Sequence, residues 1–188
     1  LFLSTLFLHQ CRQSEDNRFE TYTDNLFRQE VQNNAITLHY TLKDPSAFHI
    51  YDTPLSLGHV STDTTTIGAA AENALATLNT YNPDQLSSEN QLIYSLLENT
   101  FTSAINLAPF ALYEEPLSPL TGTQAQLPIL LSEYQFYSSK DVDIYLQLLR
   151  TLPDYFLGIM QFETEKSKQG LFMTSERAEA LMKECDTF

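Results

Sequence analysis

Between Ser87 and Pro109 the apolar residues fall at helical spacing. Leu92, Ile93, Leu96, Leu97, Phe101, Ala104 and Ile105 lie on one face, and Glu89, Ser95, Glu98, Thr102 and Asn106 lie on the other. A helix with such a stripe needs another element to cover it. Ser87 or Ser88 opens it, Ser88-x-x-Gln91 has the form of a capping box, and Pro109 stops it.

The same period marks other segments. Ser14 to Asp16 can cap a first helix with Phe19, Tyr22, Leu26, Phe27 and Val31 as its stripe, ended by Asn33-Asn34. Ala35 to Thr66 holds Pro45, Pro54 and Gly58 and reads as irregular. A loop that long usually carries a function or packs against something. Ile67 to Tyr81 is an Ala-rich helix broken by Asn82-Pro83-Asp84, and Phe110 to Tyr113 fits an extended run. Leu152-Pro153 interrupts or kinks a helical run that continues through Phe156, Ile159, Met160 and Phe162. That run ends on Lys166 and Lys168, at the negative end of the helix dipole, with Gly170 as its C′ residue. Thr174 or Ser175 opens a last helix with Ala178, Leu181, Met182 and Cys185 turned inward. The expected fold is all-α, a bundle-like array of roughly six helices with one long irregular excursion. Residues 14–188 are expected to form a single helical domain or the N-terminal part of a larger one.

Pro116 to Arg150 joins the two halves of this array. Pro116 and Pro119 bias their predecessors away from helix, so the chain arrives extended. Thr121-Gly122-Thr123 is a turn in which Gly122 is free to take positive φ. A short helix follows through Leu127, Ile129, Leu130 and Leu131, with Pro128 in its first turn. Ser138-x-x-Asp141 is a capping-box variant that opens the next helix, along Val142, Tyr145, Leu146 and Leu149. The candidate ligand contacts are Thr123, Gln124 and Gln126. A Gly-led turn that offers amides and backbone N–H groups at a helix start suits a peptide carboxylate or backbone. The competing reading makes Gln124 a cap of the helix that follows.

Composition excludes more than it names. Ten basic against 24 acidic residues give a net charge of −14, which repels nucleic acid and anionic membranes. His39, His49 and His59 are ten residues apart on an irregular segment, without the His-Glu-x-x-His spacing of a zinc site. They read as surface or hydrogen-bonded histidines, so no catalytic or metal-binding residue is assigned. Glu114-Glu115 and Glu163 with Glu165 read as solvated acidic surface rather than as an acid–base pair. No phosphate-binding glycine loop and no Gly-x-Ser-x-Gly occurs. Cys11 and Cys185 sit near opposite ends and pair only if the ends meet. Leu1 to Leu8 is too short to span a bilayer. It suits the end of a signal peptide, with Cys11 as a lipidation point, or a docked N-terminal helix. The chain does not begin with Met, which fits a fragment or a processed product.

The run Glu115-Pro116-Leu117-Ser118-Pro119, Gly122 through Pro128, and Glu133-Tyr134 resembles the bacterial domain-of-unknown-function family 885. Asp141-Val142, Tyr145-Leu146, Leu148-Leu149, Tyr155-Phe156, Gly170 through Met173 and Thr37 through Leu42 extend the resemblance. It covers nearly the whole chain but only the N-terminal part of a family member. The resemblance implies a zinc-metallopeptidase relative, often an exported lipoprotein, whose zinc belongs to a His-Glu motif in a C-terminal half absent here. The implied function is scaffold and cleft wall, with no cofactor in this chain and zinc in the full-length family. The implied partners are the missing half and a peptide substrate, and membrane only through a lipid anchor. The alternative is a non-enzymatic helical binding module or surface lipoprotein.

Overall fold

A computed structural model describes the backbone of residues 2–52 and 54–186, with side chains from residue 15 onward. Seven α-helices and no strand occur among the described residues: α1 Phe2–Gln32, α2 Ala35–Thr41, α3 Thr64–Leu78, α4 Ser88–Leu107, α5 Thr123–Ser132, α6 Ser139–Lys168 and α7 Ser175–Cys185. The all-α expectation holds. The chain divides into two compact units, Leu1–Gln29 with Asp63–Phe110, and Glu30–Thr62 with Ala111–Phe188.

In the first unit Phe19, Leu78, Leu86 and Tyr94 form the buried core, with Tyr22, Leu75, Tyr81 and Ile93 packed on it. α1 has no start at Ser14–Asp16. Asp16 instead accepts the Ser87 N–H at 2.7 Å and the Asn90 amide at 2.9 Å, which fixes the entry to α4. Ser87 is the N-cap, its hydroxyl accepting the Asn90 N–H at 3.3 Å. The expected Ser88–Gln91 box does not form, because Gln91 donates to the Pro83 and Leu86 carbonyls. The expected stripe of α4 is rotated. Asn90 and Tyr94 are buried while Leu92 and Leu96 are exposed, since Tyr94 packs against the core and its hydroxyl donates to Asn79. Residues 108–113 form a 3₁₀ turn rather than an extended run.

In the second unit Ala35, Ile36, Leu57, Leu127, Leu131, Tyr134 and Leu148 make the core, and Val31, Leu38 and Ile50 a smaller cluster. The irregular excursion is shorter than expected. Asn34 caps α2, accepting the Ile36 and Thr37 N–H groups, and buried Ile36 and Leu38 hold that helix down. A 3₁₀ turn at Pro45–Phe48 follows, and Asp63 caps α3. α6 runs unbroken for 30 residues through Pro153. Proline removes one hydrogen bond there, but buried Leu148, Ile159 and Phe162 anchor both sides. The Asp141 carboxylate accepts the Tyr137 and Ser138 N–H groups at its start, as the capping-box reading expects. At its end the Leu171 N–H reaches the Lys166 carbonyl and the Gly170 N–H reaches that of Ser167, with Gly170 at φ 72°. That pattern is a Schellman cap. α7 buries Leu181 but turns Met182 and Cys185 outward, because only one narrow face meets the unit. Cys185 is a free thiol. The lipidation and pairing readings of Cys11 lie outside the described side chains. No helix among the described residues is long and apolar enough to cross a membrane.

Candidate functional site

The turn before α5 closes on itself. The Gly122 N–H donates to Ser118 and the Thr123 N–H to Pro116, each at 2.9 Å. Gly122 is the N-cap with φ −70°, so its glycine is needed for space rather than for positive φ. A Cβ there would collide with the Ser118 backbone and with Gln124 Oε1. Pro128 lies inside α5, beyond its first turn, and removes the donor that the Gln124 carbonyl would otherwise receive.

The three residues singled out in this turn do not act together. Gln124 is 5% exposed and points inward. Its amide donates to the Ser118 carbonyl at 2.7 Å and to the Glu184 carboxylate on α7 at 3.0 Å. Its Oε1 is buried without a hydrogen-bond partner. Thr123 and Gln126 instead line one cleft of about 150 Å³. Ile36, Leu57, Leu127 and Leu130 give it apolar walls, and Asn34 and Tyr155 add polar groups. The Thr123 and Tyr155 hydroxyls are 3.4 Å apart, and the Gln126 amide donates to the Leu120 carbonyl at 2.9 Å. Leu127 and Leu131 are buried, whereas Leu120 and Ile129 are exposed.

A second cleft, of about 290 Å³, shares Leu57 and Tyr155 with the first. One side of it is the segment Leu55–Val60, which lies outside helix and strand, and the other is Thr151, Asp154, Tyr155 and Gly158 of α6. The segment is pinned at the start of α2. The Ala35 N–H donates to Ser56 at 2.8 Å, and the Asn34 amide donates to the Leu57 carbonyl. Gly58 takes φ 86°, and a Cβ on it would press on Asn34 Nδ2 at 3.3 Å. Nothing in the spacing of residues along the chain brings Tyr155 and Asp154 to this segment, so sequence reading missed them.

The histidines do not converge. His39 stacks on Tyr134 with ring centroids 3.7 Å apart, and its Nε2 accepts the Gln135 N–H at 3.3 Å. Burial lowers its pKa, partly offset by the Asp141 carboxylate. His49 lies beside the Tyr51 hydroxyl, and His59 lines the larger cleft. No group of three or more His, Cys, Asp or Glu side chains suited to a metal occurs among the described residues.

Glu163 corrects the solvated-surface reading. It is 6% exposed, and neither carboxylate oxygen has a hydrogen-bond partner. Burial raises its pKa, Lys166 lowers it, Glu115 raises it and Arg177 lowers it. Lys166 is buried and donates to the Glu114 carbonyl at 2.6 Å, while Arg177 holds the exposed Glu115 carboxylate through both terminal nitrogens. Glu165 is more open and pairs with Lys168. Helical spacing carried the signal, since Glu163 and Lys166 follow buried Ile159 by one and two turns. A buried carboxylate of this kind is common at functional sites, but Glu163 lines neither cleft. No family model, no curated protein and no solved structure matches the chain.

Proposed function

We propose that the chain is the N-terminal helical region of an exported, zinc-metallopeptidase-like bacterial protein, and that the paired clefts of its second unit form one wall of a peptide site. The resemblance of Gly122 through Pro128 to family 885 supports the first part. The observation that carries the second is that Thr123 and Gln126, from that same run, line a cleft with apolar walls. Apolar walls with a few convergent polar groups are the usual form of a ligand site. In this reading the zinc and its general base belong to a C-terminal half, and the chain binds peptide without cleaving it.

The burial of Leu127 and Leu131 supports a second reading, a self-contained helical binding module without enzymatic activity. Gene sequence that continues past Phe188 into a His-Glu segment decides for the peptidase, and a stop codon there decides for the module. Peptide binding itself is tested by fluorescence anisotropy with a fluorescein-labelled, alanine-based decapeptide. The Thr123→Ala, Gln126→Ala double variant should weaken binding about five-fold, the equivalent of roughly 1 kcal/mol of lost hydrogen bonding. No binding by the parent chain, or equal binding by the variant, refutes the cleft as the peptide site.

A further inference from the structure

The larger cleft has features that packing within the chain does not account for. Gly158 sits well inside α6, where glycine costs about 1 kcal/mol relative to alanine. A Cβ on Gly158 would meet nothing within 4 Å, so no neighbour in the fold demands a glycine. Its effect is to leave α6 bare where that helix borders the cleft. The opposite side is backbone outside helix and strand in a helical unit. Ser56 and Leu57 spend their carbonyls on Ala35 and Asn34, but the backbone groups of His59 and Val60 make no hydrogen bond among the described residues. Unpaired backbone N–H and C=O groups are what a bound peptide backbone pairs with.

Charge narrows the ligand. Asp154 lines this cleft and forms no ion pair among the described residues, and no Lys or Arg lines either cleft. The chain as a whole carries −14. An anionic cleft on an acidic protein attracts cations.

We propose that this cleft is the subsite for a lysine or arginine side chain of an extended peptide. The peptide backbone pairs with His59 and Val60, and the side chain crosses Gly158 to meet Asp154. This rests on the peptide-site reading above and adds a specificity to it.

The test uses labelled alanine decapeptides with one central Lys, Arg, Ala or Glu, titrated into the full chain at low salt. The Lys and Arg peptides should bind about five-fold more tightly than the Ala peptide, and the Glu peptide more weakly. Asp154→Asn should erase that preference. Gly158→Leu, whose Cβ has open space, should fold as the parent does by thermal melting and lose at least ten-fold in affinity for all four peptides. Equal binding of the four peptides, or an unchanged Gly158→Leu variant, overturns the subsite while leaving a peptide site intact. Displacement by spermidine as effective as by the Lys peptide overturns the backbone pairing. Failure of every peptide to bind overturns both readings.

Discussion

Glu163 gives the sharpest physical prediction. Its carboxylate is buried with no donor to either oxygen, and burial raises its pKa above the ordinary 4.5. The charged groups that act on it are Lys166 on its own helix, Arg177 on α7 and Glu115 before α5. A carboxyl group whose pKa is higher folded than unfolded binds its proton better in the native state. Its contribution to stability is therefore complete below about pH 4.5 and is lost as pH rises through the raised value. Glu163→Gln is permanently neutral and nearly isosteric. At about pH 4 it should differ little from the parent. Above the raised value it should be more stable, by an amount set by the cost of an unpaired buried polar group, about 1–3 kcal/mol. For a unit of this size that is a rise in melting temperature of several degrees. The assay is urea unfolding by far-UV circular dichroism at a series of pH values from about 4 to 8, the range that brackets carboxylate and histidine titration. A difference that stays flat with pH refutes the reasoning. A Gln variant that becomes less stable than the parent as pH rises would mean that Lys166 compensates an ionised Glu163.

Two further changes test how the turns and caps are held. Ser87→Ala should cost about 1 kcal/mol in denaturant unfolding and Ser88→Ala close to nothing, because only Ser87 accepts an N–H at the start of α4; a reversed order would move that helix start by one residue. Gln124→Ala should cost about 1–2 kcal/mol, since its amide ties Ser118 to Glu184, and Gln124→Glu should cost more by setting two carboxylates together; equal stability of all three proteins would mean that the amide bonds contribute nothing.

The sequence made the helices legible because their period and their stop signals agree. Gly170 ends α6 as read, and Ser138 with Asp141 begins it as read. The misreadings share a cause. Period alone fixes a face only to within one residue on either side, so Leu92 and Leu96 were placed inward while Tyr94 is the buried member. Pro153 reads as an interruption or kink, yet the tertiary packing of Leu148 and Phe162 outweighs one missing hydrogen bond. Glu163 was assigned to solvent by its charge, although its position on the stripe places it inside. In each case packing within the unit, and not the local pattern alone, decides.

The site follows the same division. Asn34 and Gly58 are legible as a helix breaker and an irregular glycine, and together they hold the segment that walls the clefts. Gln124 was visible too, but its geometry serves the turn. By binding Ser118 and Glu184 it fixes the loop that presents Thr123 and Gln126 on the opposite side. The amide offered to a ligand by the sequence is thus consumed in holding its neighbours in place. Tyr155, Asp154 and Gly158 come from a helix that begins after α5 ends, and only its packing against Leu57 and Leu127 brings them to the same groove. No local pattern can name such residues, because their role depends on where α6 lies and not on what surrounds them in the chain. The glycine is the partial exception. A glycine inside a strong helical run costs about 1 kcal/mol relative to alanine, and nothing lies within 4 Å of where a Cβ on Gly158 would sit to require one.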